Sequence, residues 1–347
     1  MNFKIGPDKI GDSHKTYIVA EISSNHKNNL NKLKELISES KEIGANAVKI
    51  QTYCAESITI NSNKKDFLIP SGSKWSKYKN LYNLYEKASL PYEWYDEIFK
   101  HAKKEKITIF SSPFSLNDLE FLKKFNLPAY KIASAEINYL DLIIEIAKKK
   151  KPIILSTGMA EINDIDVALK EIIKTGNKKI ILLLCNSDYP TKYENINLNG
   201  LKFLRDRFKV LIGISDHSMG SIIPISAVSL GAKLIEKHIK LKGDNTSPDH
   251  FFSMNTKEFG EMVKDIRNIE KSLTKKSFNF QNKNFRSKRS IYVLKNIKKN
   301  ETFTRDNLGI KRPALSLNPN KLGLLLGKKS NKNLSKGDRI KIKYIKN

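Results

Sequence analysis

Two cysteines, Cys54 and Cys185, are all that the 347 residues contain. That excludes a disulfide framework, and their spacing offers no metal motif. No run approaches the ~20 apolar residues of a membrane span. The first residues, Met1-Asn-Phe-Lys-Ile-Gly-Pro7, lack the apolar core of a secretion signal. The expected location is therefore cytoplasmic, with no membrane partner. Acidic residues are scarce as well: 36 Asp and Glu face 63 Lys and Arg, leaving a net charge of +27. Such a balance raises the question of nucleic acid. The lysines, however, are spread along the whole chain, often on solvated helix faces such as Lys148-Lys-Lys-Lys151. No basic motif interleaved with aromatics appears, so no nucleic acid partner is expected. The positive field still favours a small phosphorylated substrate by raising its local concentration.

What the chain does have is a rhythm. Eight short apolar runs rich in Ile and Val recur: Tyr17–Ile22, Ala47–Gln51, Ile107–Ser112, Ala129–Ser134, Pro152–Thr157, Ile180–Cys185, Leu211–Asp216 and Leu234–Ile239. Helical patterns separate them, at Leu30–Ile43 (ending at Gly44), Leu116–Phe125, Leu140–Lys148, Ile165–Lys174 and Ile222–Leu230. Strand–helix alternation with short loops predicts a parallel sheet. Eight such units predict a closed α/β barrel of the (β/α)8, or TIM, type. The gap at residues 52–91 is too long for a single connection and reads as an insertion above the barrel mouth.

A helix over Glu258–Leu273 closes the barrel region, taken as residues 1–273. Residues 274–285 are polar and read as a linker. Residues 286–347 read as a second unit with strands at Ser290–Leu294, Gly309–Lys311 and Arg339–Ile345. This unit holds eighteen Lys and Arg against three acids. Sixty residues bury only a small core, so it is expected to lean on its own barrel or on a partner's.

Parity points to a site. Alternate strand residues face the same way, so Lys49 pairs with Gln51, Phe110 with Ser112, Lys131 with Ala133, Ser215 with His217, and Glu236 with His238. The eight strand ends carry Glu21, Lys49 with Gln51, Ser111–Ser112, Lys131 with Ser134, Ser156–Thr157, Asn186–Ser187, Ser215 with His217, and Glu236 with His238. One polar strand end is an ordinary cap or turn residue. Eight together mark the C-terminal mouth of a barrel, where catalytic groups sit. Two lysines with hydroxyls suit a phosphate or carboxylate, and two histidines on neighbouring strands suit a divalent metal. Glu21 and Glu136 become proton carriers if burial raises their pKa values. Lys131 has a second reading, as a Schiff-base nucleophile. Cys185 reads as a core residue. His26, in Ser23-Ser-Asn-His26, reads either as structural or as a group that orients Glu21 or the substrate.

The ordered motifs Ala20-Glu-Ile-Ser-Ser-Asn-His26, Ala47-Val-Lys-Ile-Gln-Thr-Tyr53, Ile109-Phe-Ser-Ser-Pro-Phe114, Pro128-Ala-Tyr-Lys-Ile-Ala-Ser134, Leu155-Ser-Thr-Gly-Met159, Ser215-Asp-His-Ser-Met-Gly220, Ile235-Glu-Lys-His238, Pro248-Asp249 and Arg312-Pro313 carry a resemblance. Over nearly its whole length the chain resembles the sialic acid synthase family. The resemblance implies a barrel followed by a small antifreeze-like (SAF) C-terminal domain that caps the partner's site in a domain-swapped homodimer. It implies condensation of phosphoenolpyruvate with an N-acylated amino-sugar aldehyde, giving a nine-carbon sugar acid and phosphate. By the same resemblance, His217 and His238 would hold a divalent ion, manganese first, with magnesium or cobalt as alternatives. Lys49, Ser112, Lys131, Ser134 and Ser156 would bind phosphoenolpyruvate. Glu21, Gln51, Glu136, Tyr189, Ser215 and Asp249 would line the sugar and metal pocket, and Arg312 of the other chain would reach the sugar's N-acyl group. Phe110-Ser-Ser-Pro-Phe114 and Asn80–Ala88 with Glu93-Trp94 lean toward the pseudaminate branch, with neuraminate or legionaminate as alternatives. The chain departs from the family pattern at Ser23 and near Asn28, where glycine is usual. It departs again at Leu241-Lys-Gly243, where an acidic residue and an arginine are usual, and at Ala314, where glycine is usual. These departures bear on loop shape and sugar fit.

Overall fold

The computed structural model describes residues 2–273 and 287–346. The chain divides into two compact units, Met1–Thr274 and Lys275–Asn347. The expected linker at 274–285 lies outside the described residues.

The first unit opens with an antiparallel hairpin that the sequence reading did not anticipate, β1 (Asn2–Ile5) and β2 (Asp8–Gly11). Eight parallel strands follow: β3 (Tyr17–Glu21), β4 (Ala47–Thr52), β5 (Thr108–Pro113), β6 (Tyr130–Ile132), β7 (Ile153–Ser156), β8 (Ile180–Cys185), β9 (Leu211–Asp216) and β10 (Leu234–Lys240). Each pairs with the next, and β10 also pairs with β3, so the sheet closes on itself. All eight fall on the expected apolar runs, within a residue or two at each end. A short β11 (Met254–Asn255) adds to β10.

Ten helices belong to this unit. They are α1 (Leu30–Glu42), α2 (Ala55–Ile58), α3 (Leu81–Ala88), α4 (Tyr95–Lys104), α5 (Leu116–Leu122), α6 (Leu140–Lys148), α7 (Ile162–Lys174), α8 (Asn199–Phe208), α9 (Ile222–Ser229) and α10 (Thr256–Leu273). Helix α1 shows how local sequence sets the bounds. Asn29 accepts a hydrogen bond from the Lys32 amide at its start, and Gly44 adopts φ 88° just past its end. The first is an N-cap and the second a left-handed stop. The insertion between β4 and β5 contains α2 and α3.

Parity sorts the strands into two cores. Residues of one parity (Ile18, Ala20, Val48, Ile50, Ile132, Leu155, Leu182, Ile212 and Ile235 among them) pack outward against the helices. The other parity begins apolar at the base, with Tyr17, Val19, Ala47, Phe110, Ala129, Ile154, Ile181, Leu211 and Leu234 in one cluster. Ile5 and Ile10 of the hairpin join that cluster, with Phe3 packed against it, so the hairpin caps the base. Moving up the same parity, the residues turn polar: Glu21, Lys49, Lys131, Ser156, Ser215 and Glu236. The apolar base makes the barrel a packed core, and the polar top makes it a site.

The second unit contains the antiparallel pair β12 (Ser290–Val293) and β13 (Leu308–Lys311), and α11 (Leu322–Leu325). Its core holds Ile291, Val293, Ile297, Phe303, Leu308, Leu322, Leu325, Leu334 and Ile340. The strand expected at Arg339–Ile345 does not form. Arg339 and Ile345 make isolated bridges to Tyr292 and Ser330, and a 3-10 turn (Ile342–Tyr344) lies between them. Arg339, Lys341 and Lys343 alternate with Ile340, Ile342 and Tyr344 as a strand would, but of these only Ile340 is buried, so the pattern has no core-facing side to hold a ladder.

Gly213 sits in β9 where β10 passes closest. A Cβ there would lie 2.3 Å from the Leu234 carbonyl oxygen and 2.7 Å from Leu183 Cδ2. Glycine inside a strand often marks such an approach. Gly213→Ala should destabilise the barrel by about 1–3 kcal/mol, the usual cost of overpacking. Urea unfolding measures this, and unchanged stability would show that β9 and β10 yield without cost.

Candidate active site

The polar end of the barrel opens into a cavity of about 490 Å³. Of the residues singled out in the sequence, Lys49, Gln51, Lys131, Ser134, Glu136, Ser156, Tyr189, Ser215, His217, His238 and Asp249 all line it. Glu21 and Ser112 are fully buried and do not reach the lining. Ser112 Oγ has no hydrogen-bond partner. Arg312 is exposed on the second unit.

Register explains the central contacts. Glu21 lies beside Lys49 across β3–β4, and Ser215 beside Glu236 across β9–β10. Lys49 Nζ sits 2.9 Å from Glu21 Oε2 and 3.4 Å from Glu236 Oε1. Lys131 Nζ is 3.8 Å from the same Glu236 oxygen, and donates to Ser156 Oγ at 2.7 Å and the Ile132 carbonyl at 3.1 Å. Gln51 donates to Glu21 Oε1 at 2.8 Å, and Ser215 to Glu236 Oε1 at 3.1 Å. Burial opposes charge on Lys49, but Glu21 and Glu236 outweigh it and hold the pKa above its ordinary value. At Lys131 burial wins over Glu236, and the pKa falls. Burial pushes Glu21 up. At Glu236 the effect of burial is outweighed by Lys131 and Lys49, and the pKa falls.

The two imidazoles stand at the ends of β9 and β10, with ring centroids 5.4 Å apart. His217 Nδ1 lies 2.8 Å from the Asn186 carbonyl oxygen. A carbonyl accepts only, so Nδ1 carries a proton, and in the neutral ring the lone pair is on Nε2. Metal-binding histidines are commonly oriented by this kind of contact. His238 Nδ1 is buried without a partner. Burial, then His217 and Lys49, hold His238 well below its ordinary pKa, so its ring is neutral. At His217 burial is outweighed by Cys185 and the Asn186 carbonyl, which favour the charged ring; a metal ion there would displace a proton. The donor chemistry fits a divalent ion, though no third His, Cys, Asp or Glu completes a cage among the described residues.

Other residues enter that the sequence reading missed or misplaced. Cys185 is not a core residue. It lines the cavity with Sγ 3.9 Å from His217 Nδ1. It shares the inward parity of Ile181 and Leu183, and that signal was present in the sequence. Glu236 was legible as a strand end facing the same way as His238, but its bridging of two lysines was not. Ser187, beside Tyr189, also lines the cavity. So do Tyr53, Trp75, Tyr85 and Phe252, three of them from the long insertion. Nothing local in the sequence aims those rings. His26 does not orient Glu21. Its Nδ1 accepts from the Asn28 amide at 3.0 Å and its ring packs edge-on to Trp94, a structural role.

A NeuB family model matches residues 36–278, and a SAF domain model matches residues 288–343. The chain belongs to the NeuB family. It is 43% identical over 330 residues to the pseudaminic acid synthase of Campylobacter jejuni, covering 94% of this chain and 96% of that protein. It is 35% identical over 334 residues to the N,N'-diacetyllegionaminic acid synthase of the same species, covering 94% and 99%. The crystal structure of the N-acetylneuraminic acid synthetase of Leptospira borgpetersenii superposes with a TM-score of 0.71 at 29% identity, covering 82% of this chain and 93% of that one. The likeness to sialic acid synthases drawn from the motifs is thus the family relationship of this NeuB chain.

Glu136, in the turn after β6, carries a titration signature. Burial pushes its carboxyl from 4.5 up to about 7, against the pull of Lys131 and Lys49. A raised carboxyl favours the protonated folded state. The stability it contributes is therefore present below about pH 4.5 and lost as pH rises through about 7. The unfolding free energy of wild type minus that of Glu136→Gln should decline across this window. A difference that stays flat with pH would show that Glu136 titrates normally.

Proposed function

We propose that this NeuB-family protein condenses phosphoenolpyruvate with an N-acylated amino-sugar aldehyde, releasing phosphate and a nine-carbon sugar acid, and that it acts as a pseudaminic acid synthase. The observation that carries this reading is the pair of buried lysines, Lys49 and Lys131, set among carboxylates at one end of a cavity that also presents two imidazoles. The 43% identity to a pseudaminic acid synthase, against 35% to a legionaminic acid synthase, selects the sugar branch.

Phosphoenolpyruvate carries a phosphate and a carboxylate. Lys49 and Lys131, with the hydroxyls of Ser134 and Ser156, give those anions charge and donors in a site shielded from water. Ser112, buried behind the lining, supports that wall. The sugar lies against Gln51, Glu136, Tyr189, Ser215 and Asp249. A divalent ion on His217 and His238, manganese or alternatively magnesium or cobalt, would supply Lewis-acid polarisation of the aldehyde. The methylene carbon of phosphoenolpyruvate forms the new bond to the aldehyde carbon. Water adds at the carbon that bears the phosphate, and phosphate leaves with its bridging oxygen. The aldehyde oxygen ends as a hydroxyl and needs a proton. Glu136, half protonated near neutrality, has the pKa suited to give it.

The C-terminal unit fits a homodimer in which Arg312 of the partner subunit meets the N-acyl group. The cytoplasm, where phosphoenolpyruvate is made, is the proposed location. No helix among the described residues is long and apolar enough to cross a membrane. A Schiff-base aldolase is the second reading, because burial lowers the pKa of Lys131 as such chemistry requires.

The test is a substrate panel: 2-acetamido and 2,4-diacetamido sugars, each with phosphoenolpyruvate and manganese, following phosphate release and product mass. The expected result is release that needs both a diacetamido sugar and a divalent ion, with His238→Ala lowering the rate at least 100-fold. Activity that survives chelation, together with borohydride trapping of pyruvate on Lys131, would replace this reading with the aldolase.

A further inference from the structure

Ser23 follows β3 and opens a 3-10 turn (Ser23–His26) with φ 47°. Residues with a Cβ rarely adopt this left-handed conformation, and glycine occupies it freely. The chain therefore carries a side chain where the backbone favours none. That side chain reaches the loop after β10, the strand paired with β3. Its Oγ donates to Asp249 Oδ2 at 2.6 Å. The Ser24 amide lies 3.5 Å from the same oxygen, and the Ser24 hydroxyl also favours the charged carboxylate. Ser23 and Asp249 line the same cavity as the two histidines and two lysines.

The geometry has a chemical consequence. A hydroxyl has one hydrogen, and Ser23 gives its hydrogen to Asp249. What the pair then presents to the cavity is acceptor only: the lone pairs of Ser23 Oγ and the second oxygen of Asp249. Such a face takes a donor, an O–H or an amide N–H, and repels phosphate and carboxylate. Burial pushes the Asp249 carboxyl above its ordinary pKa, against the opposing pull of Ser23 and Ser24. The loop bearing Asp249 is anchored separately. Asn25 donates to the Ile239 carbonyl and to Ser253, Ser247 donates to Asn25, and Ser253 donates to the Asp249 carbonyl. Loss of the Ser23 hydroxyl thus removes the 2.6 Å hydrogen bond to this carboxylate without releasing the loop.

We propose that Ser23 is a positioning residue for the acceptor sugar: it holds one oxygen of Asp249 so that the pair receives a hydroxyl or amide hydrogen of the sugar. This rests on the proposed condensation and on the placing of Asp249 at the acceptor end.

The full chain is assayed with manganese, phosphoenolpyruvate and the diacetamido sugar, comparing wild type, S23G, S23A, D249N and S23G/D249N. Glycine suits φ 47°, so S23G should melt no lower than wild type. Both S23G and S23A should raise KM for the sugar about tenfold, the usual worth of one hydrogen bond to a charged group, with KM for phosphoenolpyruvate unchanged within about twofold. In the D249N background S23G should add nothing further, since a residue acting only through Asp249 is silent once Asp249 is altered. An unchanged sugar KM in S23G, an equal rise in both KM values, or an additive double variant would overturn the role. An unchanged sugar KM in D249N would overturn it too, by removing Asp249 from the acceptor. Wild-type turnover in the same assay reports on the condensation itself, so failure of the function and failure of the positioning role read out separately.

Discussion

The buried alternation of charge inside the barrel, Glu21 with Lys49, Lys49 with Glu236, and Glu236 with Lys131, governs the rest of the site. None of these four side chains is more than 4% exposed. Charges so placed lose their hydration, and only close partners offset that loss. Two positive and two negative groups in one connected line satisfy the condition. Removing Lys49 strands Glu21, and removing Glu236 strands Lys131, at a cost of about 3–5 kcal/mol. A substrate anion that enters against the lysines meets groups already dry and fixed, so little reorganisation is needed.

The same logic recurs on the opposite face of the same strands. Outward parity is apolar nearly everywhere, but Lys237 of β10 and Asp216 of β9 are both buried there and pair at 2.5 Å. Lys237 also donates to the Ser218 carbonyl at 2.6 Å, and Asp216 accepts from the Ser218 amide at 3.0 Å. Each member is the chain neighbour of a histidine, Asp216 of His217 and Lys237 of His238. On the inner face Ser215 and Glu236 join the same two strands. The strand ends that present the imidazoles are therefore clamped from both sides. That fixes the distance between the two rings without any contact to the rings themselves.

This division also explains what could be read in advance. The eight strands were legible because each is a short Ile- and Val-rich run, and a period of two assigned every residue to a face. Among the expected residues that line the cavity, the strand and strand-end residues Lys49, Gln51, Lys131, Ser215, His217 and His238 followed from parity and barrel closure together, whereas Tyr189 and Asp249 lie on loops and were implied by the family resemblance alone. Cys185 was misplaced because no helix N-terminus or base could be assigned to it from sequence, although its parity matched the site and His217 lies beside it. The hairpin at Asn2–Gly11 was missed because two four-residue strands carry too few apolar residues to show a period. The aromatic rings of the insertion could not be aimed from sequence, because residues 53–91 contain only two short α-helices and two 3-10 turns, and their path is set by tertiary contacts. The bridging role of Glu236 depended on knowing that two lysines approach one oxygen, which is a distance and not a pattern.

The cavity joins two surfaces of opposite character, and that sets the order of its contents. The barrel floor is charged, with Lys49, Lys131 and Glu236. The insertion contributes Ile69, Pro70, Trp75, Leu81, Leu84 and Tyr85. An apolar wall offers a phosphate nothing in place of its water, whereas methyl and acyl groups gain by leaving water there. The anionic partner must therefore sit deep and the less polar one above it. The long-range field of a +27 chain draws anions toward the protein, but it cannot tell one end of the cavity from the other. That distinction comes from the two walls, with the histidines at the level where they meet.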